Sequence, residues 1–437
     1  MLNMRRGIVD YCKKSLSKLG KTGFFHVFGS SVINKIITFA SGIVLVRILS
    51  KEQYGVYTYA NNILSFCVLA SGFGVVSGVL QMCSEAKESV KRIEVYRFGC
   101  RFGLGFNILL TVAIIAIGAL IPLPISGSNH CLIIMSLLPL AQLFSDLQRT
   151  FLRTELRNRE YGFANTFSTV VTFVFACSLS YLFKIEGLIA AHYIAAILTA
   201  LLIIFRYKVP FSIKQTHLDT KEKRELLNIS WISMLNGGLS RLMYLLDIFV
   251  LGIVIPNESV VASYKIATNI PTALVFIPSS VVVYVYPYFA RNKDNRDWLF
   301  KNYRRLTIAM GAVNACISSI LFLFAPIIIK IVFGAQYLDA VVPFRILSVS
   351  YGFSGTFRII AGNLLVTQRK LKFNLFVAVF SSLCNTVMNV FFIQAWGSPG
   401  AAIATLITVM LTSVLNTWYL IKTFKGIGRA ENIHDKC

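Results

Sequence analysis

The 437-residue chain has few acidic residues and few charged residues of any kind. Asp and Glu together number 19, and charged residues make up 14% of the sequence, against about 25% in an ordinary soluble domain. Residues of the set AVILMFWYC make up 56%, and the mean hydropathy is +0.67. Too few polar side chains remain to cover even one soluble domain. The composition therefore excludes a soluble globular protein and indicates a membrane protein.

Sequence patterns typical of metal sites, disulfide frameworks and sugar-transfer enzymes are also missing. The nine cysteines are scattered, with no C-x-x-C pair and no neighbouring His cluster, so neither a metal site nor a disulfide framework is predicted. No D-x-D motif and no sizeable polar domain is present, which argues against a membrane glycosyltransferase. We expect no catalytic residue and no cofactor.

Long apolar runs bounded by charges predict about twelve membrane-spanning helices. A bilayer core about 30 Å thick needs about 20 apolar residues per helix. The runs lie at about 24–47, 56–82, 102–121, 131–148, 162–183, 187–205, 226–254, 260–288, 306–329, 340–366, 373–393 and 400–421. We therefore expect an all-α integral membrane protein.

Lysine and arginine alternate between successive loops of this arrangement. With both termini in the cytoplasm, the seven inner segments hold 34 of the 43 Lys and Arg residues, and the outer loops hold four. Positive charge holds short loops on the cytoplasmic side, so the alternation supports both the helix count and the orientation. The net charge of +24 is spread over short loops rather than one domain, so we expect contact with membrane lipids and no nucleic-acid binding.

A polar linker predicts two halves of six helices each. The expected organisation is a basic cytoplasmic segment at 1–23, an N-lobe at 24–205 with helices 1–6, a linker at 206–225, a C-lobe at 226–421 with helices 7–12, and a cytoplasmic tail at 422–437.

Two weak sequence echoes suggest that the halves are duplicates. Residues 57–63 (YTYANNI) correspond to 264–270 (YKIATNI) at an offset of 207, and 187–191 (GLIAA) correspond to 400–404 (GAAIA). Six helices per half give both halves one orientation and a pseudo-two-fold axis along the membrane normal. In transporters built this way the substrate site lies between the halves, so we expect two six-helix lobes around a central cavity.

Seven ionisable residues fall inside the predicted spans, where each costs about 2.5–3.5 kcal/mol to insert and usually faces a cavity or a partner. They are Lys35, Asp146, Arg241, Asp247, Lys265, Arg345 and Arg358. Asp146 lies three residues before Arg149, which predicts a local ion pair. Lys265 and Arg345 lie near the outer boundary, where their side chains could instead reach the headgroups.

Basic residues outnumber acidic ones in this set, so the predicted cavity favours an anion. Guanidinium and ammonium groups pair with phosphate oxygens. We therefore predict that Lys35, Arg241, Lys265, Arg345 and Arg358 bind the phosphate groups of a substrate. Asp247 is expected to act as a charge partner or as a group that couples transport to a cation. Asn34, Asn62 and Asn269 are candidates for sugar contacts, although such amides more often link helices.

Three segments resemble the polysaccharide biosynthesis flippases. They are the run from Asn34 through 47–57 (RILSKEQYGVY), the segments 333–337 (FGAQY) and 344–348 (FRILS), and 400–404 (GAAIA). These motifs match the family's first-helix signature, the outer loop before its tenth helix and the start of its twelfth helix. The resemblance extends across nearly the whole chain.

The resemblance implies membership of the exporter superfamily that also contains multidrug exporters and the lipid II flippase. It implies a multi-pass protein of the bacterial or archaeal cytoplasmic membrane that moves undecaprenyl-diphosphate-linked oligosaccharide repeat units for O-antigen or capsule assembly by alternating access. By analogy, Lys35, Arg241 and Arg358 would meet the diphosphate. A glycan polymerase and other assembly proteins are the expected partners.

Two other functions remain open at this stage. The first is a cation-coupled small-molecule or multidrug exporter of the same fold, which would confer drug resistance without any glycan phenotype. The second is a membrane enzyme of glycan assembly, which would change the covalent structure of a lipid-linked sugar.

Overall fold

A computed structural model describes residues 24–209 and 218–427, with the side chains of 24–28, 236, 239–241, 243 and 244 left outside the description. The expected basic segment 1–23, residues 210–217 of the expected linker and residues 428–437 of the expected tail lie outside these ranges. Within the described residues all regular secondary structure is helical. The α-helices are α1 Phe24–Ile48, α2 Lys51–Val68, α3 Val75–Glu85, α4 Ser89–Leu120, α5 Ser128–Met135, α6 Leu138–Thr154, α7 Asn158–Tyr207, α8 Thr220–Val254, α9 Glu258–Leu274, α10 Phe276–Arg291, α11 Arg296–Leu323, α12 Ala325–Val332, α13 Val341–Phe353, α14 Ile359–Thr367, α15 Leu371–Trp396 and α16 Ser398–Gly426.

These helices confirm an all-α membrane fold. In the described part of the chain, eight helical stretches are long and apolar enough to cross a membrane, and two of them join consecutive helices, α5 with α6 and α9 with α10. A bent pair, α2 with residues 71–85, makes nine. One of the eight, α7, has 50 residues and a break at Lys184, so it contains two of the predicted spans. The predicted spans at 226–254 and 340–366 fall on α8 and on the stretch 341–367, which is divided into α13, a π-helical turn at Ser354–Arg358 and α14.

The chain folds into two compact units. Within the described residues, one consists of 24–53, 63–123, 127–209 and 218–238, and the other of 54–62, 124–126 and 239–427. We call them unit 1 and unit 2. Tyr54–Asn62 of α2 belong to unit 2, where Tyr59 fills the space beside Gly252 and Asn62 donates a hydrogen bond to the Leu245 carbonyl oxygen at 3.2 Å.

The second and eighth predicted spans begin in the same way. The Ser50 side chain caps α2 by accepting from the Gln53 N–H, and the Asn257 side chain caps α9 by accepting from the Val260 N–H. The two caps are 207 residues apart, which is the offset of the sequence echo. A side-chain oxygen at this position satisfies a backbone donor that a helix start leaves free.

Two helical hairpins repeat one another more closely than their sequences do. The backbone is left-handed at Lys184 (φ 52°) and at Gly397 (φ 66°). Three residues later, Gly187 and Gly400 each approach the carbonyl group of the residue eight positions before them, so closely that a Cβ would collide with it. The second echo therefore marks a tight turn that occurs once in each half of the sequence.

A fully buried asparagine occurs at equivalent positions of α4 and α11. Asn107 accepts from the Gly72 N–H at 2.6 Å and donates to the Pro139 carbonyl oxygen at 2.8 Å. Asn314, 207 residues later, accepts from the Tyr351 hydroxyl at 2.9 Å. In both units the amide links three segments, so these residues support a duplicated architecture that the sequence echoes only suggested.

Large apolar side chains lie on the outside of the helices. On α4, Leu109, Val112 and Leu120 are 69%, 60% and 79% exposed, whereas Asn107 and Ile114 on the opposite face are buried. Such an apolar surface is unfavourable in contact with water and favourable in contact with the hydrocarbon core of a bilayer. The expected ion pair of Asp146 with Arg149 is present at 2.6 Å, which confirms that this carboxylate is neutralised locally.

Candidate functional site

A cavity of about 130 Å³ lies within unit 2 and contains three of the residues predicted to form the site. Its charged lining side chains are Asp247 on α8, Lys265 on α9 and Arg358 in the π-helical turn. Drug-sized ligands occupy pockets of about 300–1,000 Å³. This cavity therefore has room for an ion or a phosphate group and not for an oligosaccharide.

Asp247 is buried and held by neutral donors. Its carboxylate accepts from Asn389 and Thr405, each at 2.7 Å, and from the Tyr264 hydroxyl at 3.2 Å. Within the described residues it forms no ion pair. We expected a charge partner or coupling group here, and the structure supplies a buried carboxylate that accepts hydrogen bonds from three other helices, α9, α15 and α16.

Helix geometry brings these donors together. Asn385 and Asn389 are one turn apart on α15, and Asn389 donates to Asn385 at 3.0 Å. Residues at i and i+4 share a helix face. Tyr264, Asn385 and Thr405 were not singled out from the sequence. The spacing of two asparagines in an apolar helix is a signal that could have found Asn385.

Lys265 and Arg358 supply the basic side of the cavity. The Arg358 Nε donates to the Ser354 hydroxyl at 3.0 Å, across one turn of the π-helical segment. π-turns inside longer helices occur often at functional sites. In the described part of the chain no carboxylate forms an ion pair with Lys265. Two of the five predicted phosphate-binding residues, Lys265 and Arg358, therefore line the same cavity as Asp247 without an ion pair to Lys265.

Two of the other predicted basic residues lie outside the cavity lining, and the side chain of the third is not among the described ones. Arg345 on α13 donates to the Phe322 carbonyl oxygen at 3.1 Å and its guanidinium lies 5.4 Å from the centre of the Phe322 ring, outside the cavity lining. Lys35 is exposed on α1, in unit 1. Arg241 lies on α8, and its side chain is outside the described residues.

The three candidate sugar-binding amides are also separate from the cavity lining. Asn62 is buried and donates to the Leu245 carbonyl oxygen of α8, so its amide links two helices. The Asn269 side chain hydrogen-bonds with the Tyr54 hydroxyl. Asn34 lies on α1, and no donor among the described residues reaches its buried Oδ1 atom.

Among the described residues, no group of three or more His, Cys, Asp or Glu side chains is placed to hold a metal ion. The Asp247 carboxylate accepts from the Asn389 amide nitrogen and from the hydroxyl groups of Thr405 and Tyr264. Carboxylate and hydroxyl oxygens are hard donors, which suit a small hard cation or a proton better than a transition metal.

Comparison with known proteins gives a family match and a distant curated relative. A family model described as polysaccharide biosynthesis protein matches residues 44–343. The chain is 21% identical over 425 residues to the lipopolysaccharide biosynthesis protein WzxC of Escherichia coli strain K12, covering 91% of this chain and 80% of WzxC.

Solved structures share the fold. An inward-facing multidrug resistance transporter of the MATE family, in the MOP superfamily, aligns with a TM-score of 0.76 at 15% identity, over 90% of this chain and 95% of its own. The lipid II flippase MurJ in an inward closed conformation aligns with a TM-score of 0.73 at 15% identity, over 93% and 90% of the two chains. At these identities the likeness describes the arrangement of helices alone.

Proposed function

Because this chain belongs to the polysaccharide biosynthesis protein family, we propose that it is a flippase for lipid-linked oligosaccharides. It moves undecaprenyl-diphosphate-linked repeat units across the cytoplasmic membrane for the assembly of a surface polysaccharide. The cavity with Lys265 and Arg358 is the observation that carries the proposal, since it offers two cationic side chains within a membrane-spanning unit.

The chemistry of this cavity suits the charged linkage of such a substrate. Arginine and lysine form charge-assisted hydrogen bonds with phosphate oxygens, and these bonds are about twice as strong as neutral ones. The cavity is too small for a sugar chain, so we assign it to one phosphate and place the sugars outside it. No covalent bond is made or broken.

Lys35, Arg241 and Arg345 remain proposals as further phosphate contacts, and Asn34, Asn62 and Asn269 as sugar contacts. Among the described side chains, Lys265 and Arg358 are the basic residues that line the unit 2 cavity. A glycan polymerase would take up the delivered unit.

Transport by Lys265→Gln and Arg358→Gln tests the assignment. We expect purified protein in liposomes to move a fluorescent undecaprenyl-diphosphate oligosaccharide to the opposite leaflet, measured by quenching with a membrane-impermeant reductant. Each variant should lower the rate about tenfold or more, because a charge-assisted hydrogen bond is worth about 1.5–3 kcal/mol.

The matched control is Lys301→Gln, which removes an exposed lysine from α11 outside the cavity. It should transport at the unaltered rate. Equal rates in Lys265→Gln, Arg358→Gln and the control would remove the cavity from the mechanism. Transport of the lipid at the protein-free rate by the unaltered chain would remove the proposed function.

Asp247 supports a second candidate function. A cation-coupled exporter of small molecules requires a buried carboxylate, and Asp247 is buried with neutral partners. Drug resistance in a sensitive host, together with normal surface glycan after deletion of the gene, would favour that function. Loss of surface glycan without altered drug resistance favours the flippase.

A further inference from the structure

A second cavity, of about 620 Å³, opens on the surface of unit 1. Its lining residues are Phe98, Arg101, Phe102, Gly105, Phe106 and Leu109 on α4, and Lys223 on α8. We call it the α4 groove. The space beside Gly105 is open, because a Cβ at this position would have no neighbour within 4 Å.

One wall of the groove is a row of aromatic rings. The rings of Phe98 and Phe102 stack with centres 6.1 Å apart, and those of Phe102 and Phe106 stack at 6.5 Å. Phe73 packs on the same row at 5.6 Å from Phe106, and Trp231 stacks on Phe73 at 5.2 Å. The row follows a single helix face, because its members are four residues apart.

Both cations of the groove lie toward one end of this row. Arg101 is on the first turn of the lined face, and Lys223 is near the start of α8. Within the described residues neither side chain forms an ion pair. The neighbouring Glu222 is bound to Lys91 at 2.5 Å, and this hydrogen bond lowers the pKa of the Glu222 carboxyl group, so that its charge is already matched.

The shared fold does not require these residues. The equivalent positions of α11, 207 residues later, hold Arg305, Ile308, Ala309, Ala312 and Val313 in place of Phe98, Arg101, Phe102, Gly105 and Phe106. The second half of the chain therefore builds the same helix without an aromatic row and without a cation at the position of Arg101. The groove is a specific property of unit 1.

The dimensions and charges of the groove fit an amphiphile with one chain. From Phe98 to Leu109 the helix rises about 16 Å, which is about half of a bilayer core. The two cations complement a phosphate at one end, and the single row of rings offers an apolar track along one helix face. A phospholipid carries two chains on its phosphate, and a polyprenyl phosphate carries one.

We infer that the α4 groove binds the polyprenyl phosphate portion of a lipid substrate, with Arg101 and Lys223 on the phosphate and the Phe98–Phe106 row along the chain. The inference rests on the proposed function for the identity of the lipid. The groove is separate from the Lys265 and Arg358 cavity, since the two lie in different units.

Binding of radiolabelled undecaprenyl phosphate to the full chain in phosphatidylcholine nanodiscs tests the inference. We expect Arg101→Gln with Lys223→Gln, and separately Gly105→Phe, to weaken binding about tenfold or more. Gly105→Phe fills open space, so its fold should persist. Ile115→Phe, on the same helix and 40% exposed outside the lining, is the matched control and should bind as the unaltered chain does.

Competition separates the possible sources of the phosphate. We expect unlabelled undecaprenyl phosphate to displace the probe, and phosphatidylglycerol and inorganic phosphate to require at least about a hundredfold higher concentrations. Equal displacement by phosphatidylglycerol would make this a general anionic-lipid site, and equal displacement by inorganic phosphate would remove the role of the aromatic row. Either result overturns the inference, as does unchanged affinity in Gly105→Phe.

The liposome assay separates this inference from the proposed function. Transport by the unaltered chain, combined with full binding and transport by Gly105→Phe, would overturn the groove and leave the flippase intact. Groove-dependent binding by a chain that transports no lipid-linked oligosaccharide would overturn the flippase and leave the groove intact.

Discussion

At the scale of residues, Asp247 combines deep burial with hydrogen bonds from Asn389, Thr405 and Tyr264. A carboxylate in this setting can hold a small cation or a proton, because its neutral partners do not cancel its charge. The same cavity contains Lys265 and Arg358. A cation on Asp247 and an anion beside Lys265 would therefore influence each other's binding across a short distance.

Asp247→Asn tests this coupling. The amide keeps the size of the side chain and removes its charge, so we expect the transport rate to lose its dependence on an imposed proton or sodium gradient. The measurement is liposome transport with and without each gradient. A variant that still responds to the gradient in the way the unaltered chain does would show that coupling resides elsewhere.

Single residues also show how far the sequence could predict the site. A charged residue inside an apolar run can be recognised from the sequence alone, which is how Asp247, Lys265 and Arg358 were found. Tyr264 and Thr405 did not, because such residues are common in apolar helices and only packing brings them to Asp247. Whether Lys265 lies at the headgroups or in a cavity depends on neighbouring helices, which a single run does not specify.

At the scale of elements, the two hairpins around Lys184 and Gly397 turn with almost no connecting chain. The turn is possible because Gly187 and Gly400 let one helix backbone reach the other without an intervening Cβ. The sequence predicted both span boundaries here. It could not predict that the glycines are contact points, because that depends on the angle between two helices.

Gly187→Ala and Gly400→Ala should each destabilise the protein by about 1–3 kcal/mol, since the new methyl group meets backbone that cannot rotate away. The thermal unfolding midpoint in detergent measures the effect. Gly42→Ala is the control, because Gly42 is within α1 and has open space around its Cβ position, so this change should leave the midpoint equal or higher. A control that falls as far as the two hairpin variants would contradict the contact mechanism.

At the scale of the whole molecule, the hydrophobic runs predicted where the helices lie but not where a span is bent or divided. The span predicted at 56–82 is two helices with a 43° bend, because Gly72 and Phe73 adopt left-handed conformations between them. Asn107 stabilises that bend by accepting from the Gly72 N–H. The repeat of Asn107 at Asn314 could have been found from the sequence by extending the offset of 207 beyond the two short echoes.

The distribution of Lys and Arg between loops predicts the orientation of the chain in the membrane, with both termini in the cytoplasm. In a chain whose native cysteines are replaced, Lys330→Cys should react with a membrane-impermeant maleimide on intact cells, and Lys301→Cys should react only after the cells are permeabilised. Both positions are exposed, so reactivity reports the side of the membrane. The opposite pattern would invert the predicted topology.

The stacked pair of Phe73 and Trp231 gives the molecule a built-in optical reporter. The chain has four tryptophans, and Trp231 is the one that belongs to unit 1. It is 42% exposed and is joined through Phe73 to the ring row of α4. With the other three changed to phenylalanine, the fluorescence would come from the Trp231 indole alone, and its emission maximum would report how far that surface is exposed to water.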